Sequence, residues 1–162
     1  MGEFTYRAAK VGDAGAILTV KQVAISAIDS DEYTARQLDA WRPDDELVEE
    51  FGRAIESNRF EILLVESGPA TAGYGVLNTA ENRIDAVFVH PEYHGEGIGS
   101  SLVRQFESRA RITGLSELQI VSSLNAKEFY ETLGYRDIDR KVREINGVDL
   151  KFAVMRKLFD SS

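Results

Sequence analysis

The sequence predicts an α/β fold in one domain that spans residues 1–162, with the element order β-α-α-β-β-β-α-β-α-β-β. Short apolar runs rich in β-branched and aromatic residues alternate with longer segments in which apolar residues recur every three or four positions. These are the patterns of buried strands and of amphipathic helices. A chain of 162 residues with 43% hydrophobic and 28% charged residues can bury one sizeable core and has the composition of a soluble globular protein.

The first part of the chain is predicted to be a short strand followed by a helix. Residues 3–7 alternate in polarity, and Asp13 is placed to cap the helix that follows. The apolar stripe of this helix consists of Ile17, Val20, Ala24 and Ile28. After an acidic break at residues 29–32, Tyr33 and Trp41 are two helical turns apart and share one face if this segment is helical.

A second helix is predicted at residues 42–58, because its first turn contains Asp44, Asp45 and Glu46, which favour a helix N-terminus. Residues 60–66 and 70–77 then form two strands joined by the tight turn Ser67-Gly68-Pro69. Gly73 and Gly75 indicate a bulge in the second of these strands.

The central element is a buried strand at residues 84–89, which ends at His90-Pro91 because proline cannot donate to a ladder. The turn after it has glycines at alternate positions, namely Gly95, Gly97 and Gly99. An amphipathic helix is predicted from Gly97 to about Thr113.

The C-terminal part is predicted to add a strand, a short helix and a hairpin. Residues 118–122 form a buried strand, and residues 126–133 form the helix. Residues 136–143 and 148–159 form the last two strands, and Asn146-Gly147 between them is a strong hairpin signal.

The glycine turn is a candidate anion site. Glycines let the backbone bend tightly and let a ligand approach the amides, and the first N–H groups of a helix have no partner within it. With the helix dipole, these amides favour a phosphate group. The spacing fits neither a P-loop, which needs a lysine, nor a dinucleotide fingerprint, whose first glycine follows the strand directly. The remaining alternative is a helix N-terminus that binds nothing.

The pattern Val89-x-Pro91-x-x-His94-Gly95-x-Gly97-x-Gly99 resembles the acetyl-CoA-binding motif of the GCN5-related N-acetyltransferases. A second segment, residues 125–135, resembles the second cofactor motif of that family. The resemblance implies acetyl-CoA as cofactor, with its pyrophosphate held by the backbone amides of the glycine turn. The cofactor-binding residues that it implies are Phe88, Val89, His94, Gly95, Glu96, Gly97, Ile98, Gly99, Ser100, Asn125 and Tyr130.

Two residues depart from the family motif. His94 replaces the usual Gln or Arg, and Glu96 stands where a basic residue is common. A carboxylate at Glu96 is expected to weaken cofactor affinity, by an amount that depends on how far it points into water.

The resemblance also implies a mixed sheet with helices on both faces, in which the central strand and the strand after the long helix splay apart. Backbone groups of Phe88 and Val89 would then be free to bond the pantetheine arm in the gap. Asn125 would contact the same arm, and its alternative role is to cap the short helix.

Tyr130 is the phenol that the family places near the cofactor sulfur as general acid. A phenol with a pKa near 10 can donate a proton while it is neutral at pH 7. The alternative is that its ring only packs. The backbone N–H of Val89 is the candidate donor to the thioester oxygen.

Asp85 is the candidate base. Strand alternation places Arg83, Asp85, Val87 and Val89 on one face, and a carboxylate in an apolar strand is costly unless it is partnered or functional. It could take the proton of the amine or bind the positive charge of the substrate. The alternative is a structural pair with Arg83.

The acceptor is predicted to be a primary amine of a small molecule or of a peptide. A small molecule is favoured because the Tyr33–Trp41 segment resembles an insert that lies over the acceptor pocket in some family members. Tyr33 and Trp41 are therefore candidate substrate residues, and core packing is the alternative. Two further functions stay open: a non-catalytic acyl-CoA-binding or sensor domain, and an acyltransferase that uses another acyl-CoA.

The composition argues against other classes of partner. A net charge of −8 disfavours nucleic acid and anionic membranes, and the absence of cysteine excludes disulfides and a cysteine-dependent acyl relay. No third ligand accompanies His90 and His94, so no metal site is expected. The N-terminus lacks a signal layout and no apolar run could span a bilayer, so a cytoplasmic protein is expected. The resemblance also makes a homodimer, paired through the C-terminal strands, a possibility.

Overall fold

The computed structural model describes residues 3–159, in which helices cover a seven-stranded mixed sheet. The strands are β1 (Thr5–Ala8), β2 (Phe60–Ser67), β3 (Ala70–Asn78), β4 (Arg83–Val89), β5 (Glu117–Ser123), β6 (Arg136–Ile145) and β7 (Val148–Leu158). The helices are α1 (Ala14–Ser26), α2 (Ala35–Trp41), α3 (Val48–Glu56), α4 (Ile98–Ile112) and α5 (Lys127–Thr132). The predicted fold class is confirmed, and the strands follow the order β1-β2-β3-β4-β5-β7-β6 across the sheet.

The structure has one helix more than the predicted order between β1 and β2. The Tyr33–Trp41 segment forms α2 as a separate helix because Thr34 caps it. The Thr34 hydroxyl accepts from Gln37 N at 3.1 Å, and the Gln37 side chain accepts from Thr34 N at 2.9 Å. This reciprocal pair satisfies two N–H groups that would otherwise be unpaired at a helix start. Arg42, held extended before Pro43, ends the helix.

The sheet is antiparallel except at its centre, where β4 and β5 run parallel. These two strands pair only at Arg83↔Gln119 and Ile84↔Ile120. Beyond these pairs they part, so the rest of β4 has a neighbour on one side only, as expected from the splay. The opening lies at the C-terminal ends of β4 and β5.

A bulge in β4 corrects the predicted face of Asp85. Val76 pairs with Ala86 but Leu77 pairs with Ile84, so Asp85 is an extra residue that has no partner opposite it in β3. A bulge breaks the alternation of a strand. Arg83, Asp85, Val87 and Val89 therefore do not share one face. Instead, Val87 and Val89 pack with Ile84 on the α4 side of the sheet.

Hydrophobic clusters cover both faces of the sheet. On one face, α4 buries Leu102 and Phe106 against β3, β4 and β5. On the other face, Ile17 and Val20 of α1 pack against Leu64 and Tyr74, with Ala86 and Phe88 at the edge of the cluster. A third cluster joins α2 to the C-terminal hairpin and contains Tyr33, Trp41, Leu150 and Phe152. The three clusters meet at the opening between β4 and β5.

The C-terminal hairpin forms as predicted. Asn146 and Gly147 have φ values of 51° and 78°, the left-handed conformations that a two-residue hairpin turn requires. β6 is an outer strand of the sheet, so it is the edge available for the pairing between copies that the sequence suggests. That pairing stays a prediction. Among residues 3–159, no helix is long and apolar enough to cross a membrane.

Candidate active site

The glycine turn after β4 presents backbone amides at the start of α4. Gly95 and Gly97 have φ values of 83° and 80°, so both adopt conformations that a side chain would strain. The first backbone bond of α4 joins Ser101 N to Gly97 O at 3.0 Å. The amides of Ile98, Gly99 and Ser100 therefore have no partner within the helix. They are available to bind an anion, as the glycine spacing indicated.

The backbone of β4 alternates between β3 and the opening. His90 N donates to Ala72 O at 2.8 Å, and directly opposed residues of an antiparallel pair exchange hydrogen bonds at every second position. Phe88, opposite Tyr74, therefore directs its own N–H and C=O to β3. The N–H groups of Val87 and Val89 face the opening instead. The expectation for Val89 fits this geometry, whereas Val87 takes the place that the sequence analysis gave to Phe88.

A cleft of about 600 Å³ occupies the opening between β4 and β5. Small-molecule sites in proteins have volumes of roughly 300–1,000 Å³. Most of the predicted cofactor and substrate residues line it. These are Trp41, Phe88, Val89, His94, Gly95, Gly97, Ile98, Gly99, Ser100, Asn125 and Tyr130. Glu96, Tyr33 and Asp85 are not among its lining residues. The cleft thus joins the glycine turn to the parting point of the strands.

Tyr130 lies on α5 beside the point where the strands part. It is only 5% exposed, and burial raises the pKa of its phenol well above the ordinary value. No hydrogen bond engages its hydroxyl among residues 3–159, although its neighbours Phe129 and Tyr135 contact the ring edge to face. Tyr130 is therefore a protonated phenol with a free donor at the cleft.

Three residues around the glycine turn differ in what they can offer a ligand. His94 Nε2 lies 3.2 Å from Val89 O, so the ring braces the end of β4. Glu96 is exposed and does not line the cleft, which limits its repulsion of an anion bound to the amides. Asn125 lines the cleft from a one-turn helix whose N-cap is Ser123, so Asn125 is not the cap.

The two aromatic substrate candidates have different surroundings. The Tyr33 hydroxyl donates to Lys151 O at 2.6 Å and accepts from Leu124 N at 3.0 Å. The hydroxyl has both of its partners within the protein, and only 5% of the residue is exposed. These contacts agree with the alternative that Tyr33 is a packing residue and not a substrate residue. Trp41 is half-buried and packs its ring 5.9 Å from that of Phe88 in the cleft wall.

Asp85 lines a smaller cavity of about 90 Å³ next to the cleft, named the inner chamber here. Arg83 Nε donates to one of its carboxylate oxygens, and Asn78 Nδ2 donates to the other at 3.1 Å. The inner chamber shares Trp41, Val87, Phe88, Ser123, Ala126 and Tyr130 with the cleft, so the two cavities adjoin. Asp85 therefore lies near the cleft, but it is paired with Arg83, and this pair was the structural alternative to a role as base.

Two cations that no sequence pattern had singled out line the inner chamber, Lys21 of α1 and Arg143 of β6. Burial, aided by the charge of Arg143, lowers the pKa of Lys21 to about 8. One signal for Lys21 exists in the sequence, because it is four residues after Ile17 and three before Ala24, on the apolar stripe of α1. Nothing in the alternating polarity of β6 distinguishes Arg143.

A sheet that opens between two parallel strands, with free amides at a helix N-terminus and a phenol at the parting point, is the architecture of an acyl-CoA-dependent transferase. The family model of the acetyltransferase (GNAT) domain matches residues 29–159. The chain belongs to the GCN5-related N-acetyltransferase family, as the two sequence motifs suggested. It is an N-acetyltransferase with acetyl-CoA as its cofactor.

Individual relatives agree with this assignment. The chain is 31% identical to a thialysine N-epsilon-acetyltransferase of Sus scrofa over 157 residues, which covers 85% of this chain and 87% of the relative. It is 25% identical to the uncharacterized N-acetyltransferase YafP of Escherichia coli over 147 residues, or 91% of each chain. A crystal structure of a GCN5-related N-acetyltransferase from Rhodopseudomonas palustris superposes with a TM-score of 0.89 and 26% identity over 98% of both chains.

Proposed function

We propose that this protein transfers an acetyl group directly from acetyl-CoA to a primary amine of a small-molecule acceptor, with both bound in the cleft between β4 and β5. The observation that carries the proposal is the continuity of this cleft. It joins the free amides of the glycine turn at one end to Tyr130 and the parting strands at the other. The absence of cysteine excludes a cysteine-bound acyl intermediate, so direct transfer is the simpler route.

The glycine turn fits the diphosphate of the cofactor. A Cβ added at Gly95 or Gly97 would meet nothing within 4 Å, so the space in front of this backbone is open. The amides of Ile98, Gly99 and Ser100 would hold the diphosphate, helped by the dipole of α4. Because these contacts are main-chain, they tolerate His94 and Glu96 at positions where the family motif differs.

Bound acetyl-CoA supplies an activated acetyl thioester at the parting point. The N–H of Val89 faces this region and would donate to the thioester oxygen, where negative charge develops as the amine attacks. Such a donor is fixed by the strand before reaction begins, so it needs no reorganisation.

Tyr130 would give the proton to the departing sulfur. The new bond joins the amine nitrogen to the acetyl carbon, the carbon–sulfur bond breaks, and the sulfur takes up a proton from Tyr130 Oη. The raised pKa of Tyr130 keeps the phenol protonated until that moment. The nitrogen loses its own proton to solvent, after which the phenol is reprotonated. Asp85 is not needed in this scheme, since its oxygens already accept from Arg83 and Asn78.

Trp41 would form part of the acceptor wall, because it contacts Phe88 and lines both the cleft and the inner chamber. The thialysine named for the Sus scrofa relative supports a small molecule rather than a protein as acceptor.

The test combines calorimetry with acetyl-CoA and an assay of free thiol against a panel of amines. We expect acetyl-CoA to bind and at least one amine to release thiol. Tyr130→Phe should lower kcat at least severalfold and leave acetyl-CoA affinity within about twofold, since the change removes a single oxygen. Wild-type turnover in this variant would remove Tyr130 from the mechanism. Binding without thiol release from any amine would favour the non-catalytic sensor, and faster release from succinyl- or propionyl-CoA would change the donor.

A further inference from the structure

The inner chamber contains two cations for which the proposed reaction has no use. It lies next to Tyr130, on the α1 side of β4, and its volume of about 90 Å³ leaves room for one small group. A cavity holds a water molecule once it offers roughly 10–15 Å³ of such space, so the inner chamber has room for a small polar group. The charged residues in its wall are Lys21, Asp85 and Arg143.

Neither cation has an acidic partner among residues 3–159. Lys21 Nζ lies between two rings, 5.7 Å from the centroid of Phe51 and 5.6 Å from that of Phe88. The Arg143 guanidinium lies 5.7 Å from the ring centroid of Phe152. Ring faces attract cations but do not neutralise them. The two cations lack acidic partners although the chain has 27 acidic residues against 19 basic ones.

Asp85 does not compensate them. Its two carboxylate oxygens accept from Arg83 and from Asn78, and Arg83 neutralises its charge. Lys21 and Arg143 therefore give the chamber an excess of positive charge in a protein whose net charge is −8. A partly buried cation without a counter-ion is costly, and the lowered pKa of Lys21 has this same cause.

On the basis of the proposed function, we propose that the acceptor is an amine that also bears an anionic group, a carboxylate or a phosphate, which Lys21 and Arg143 bind in the inner chamber. The shared wall of chamber and cleft then places the amine of the same molecule beside Tyr130. Lysine supplies a compact point charge and arginine a planar fork, and together they suit an oxyanion with several oxygens. Phe88 and Trp41 would cover the carbon skeleton between the two ends.

The geometry also accounts for selectivity. An amine whose anionic group is replaced by a neutral one would leave both cations desolvated and unpaired when it fills the chamber. A site that binds a polar group of its substrate strongly rejects an analogue without that group, because the polar groups of the site are then buried without a partner. Neutral and cationic amines are therefore expected to be poor acceptors.

The experiment uses matched pairs of amines that differ only in the anionic group. The probes are β-alanine with β-alaninamide, lysine with lysinamide, and glucosamine 6-phosphate with glucosamine, where the first two pairs test a carboxylate and the third tests a phosphate. Thiol release with acetyl-CoA gives kcat and KM for each. We expect kcat/KM for the anionic member of at least one pair to exceed that of its partner tenfold or more.

The variants Lys21→Gln and Arg143→Gln remove one charge each and keep a polar side chain. Each is expected to reduce kcat/KM for the anionic probe at least tenfold, mainly through KM, whereas that of the neutral probe should not fall, because each variant leaves one cation fewer unpaired. Lys141→Gln, an exposed charge on the same strand as Arg143, is the matched control and should change neither. Circular dichroism checks that each variant is folded.

Equal kcat/KM within every pair, or an equal loss for both members in the variants, would overturn the inference. Calorimetry with the same probes in the presence of CoA separates this result from failure of the proposed function. Binding of an anionic probe that weakens in Lys21→Gln and Arg143→Gln supports the anion site even where no thiol is released. Binding that ignores the anionic group overturns it.

Discussion

Lys21 should make the protein less stable than it would be with an apolar residue at the same place. The pKa of Lys21 is lowered from 10.5 to about 8, chiefly because the charged form loses water when the protein folds. At about 1.4 kcal/mol for each pH unit between these values, the charge costs the folded state about 3 kcal/mol. Partial access to solvent and the attraction of the Phe51 and Phe88 rings reduce the net cost.

The perturbation is Lys21→Met, which keeps an unbranched stem and removes the charge. We expect the free energy of unfolding at pH 7 to rise by about 1–3 kcal/mol, from the pKa difference less the lost ring contacts. For a domain of this size each kcal/mol raises Tm by roughly 2–4 °C, so Tm should rise by about 2–12 °C. Thermal and urea unfolding measure both quantities. Lys141→Met, at an exposed position of β6, serves as control and should shift Tm by no more than about 1 °C.

The way in which the stability difference changes with pH tests whether the charge of Lys21 is its cause. Below about pH 8, Lys21 is charged in both states and the folded state bears the whole cost. Between about pH 8 and 10.5 the unfolded state binds more protons, so wild-type stability gains relative to the variant as pH rises. The advantage of Lys21→Met should therefore shrink over this window. A variant that is less stable than the wild type at pH 7, or whose advantage is the same at pH 7 and pH 10, would refute the account.

Three further substitutions test other parts of the site. Gly97→Ala places a side chain at a φ of 80°, which should cost about 1–2 kcal/mol in thermal unfolding and weaken acetyl-CoA binding measured by calorimetry; unchanged affinity would argue against the amide cradle. Tyr33→Phe removes the bonds to Lys151 O and Leu124 N, so urea unfolding should show a loss of about 1–3 kcal/mol while kcat stays within threefold; a large fall in kcat at unchanged stability would restore Tyr33 as a substrate residue. Asp85→Asn should lower stability by about 1–2 kcal/mol because Arg83 loses its partner, and kcat should change less than threefold; a fall of tenfold or more would identify Asp85 as the base.

The predictions that held depend on local chemistry. The glycine turn follows β4 because proline stops the strand and glycines tolerate the left-handed backbone, so sequence spacing alone located the start of α4. The hairpin turn at Asn146-Gly147 has the same kind of cause. The apolar periodicity of α4 named the face that the structure buries. That of α1 named only part of it, because Leu18 and Ile25 are also buried and the helix ends at Ser26, before Ile28.

The bulge at Asp85 shows where local patterns fail. Alternation assigned Asp85 to the face of Val87 and Val89, but the register between β3 and β4 shifts by one residue at this point. Register depends on how two strands and the layers that cover them pack together, and a single strand does not encode it. The same shift sets which amides of β4 face the opening, so Val87 joins Val89 there in place of Phe88.

The sequence by itself determined the family and most of the element types, and it indicated a candidate anion site at residues 95–100 and a candidate phenol at Tyr130, because each rests on residues that are close together in the chain. Only the tertiary structure decided which residues line the cleft and the inner chamber. Lys21 and Arg143 belong to a helix and a strand at opposite ends of the chain, and they meet because α1 and the C-terminal hairpin close over the same opening in the sheet. Neither charge alone indicates a site, since a single cation on a helix or strand is ordinary. Two cations without acidic partners around one small cavity are costly to keep, and only the tertiary structure shows that they lie together.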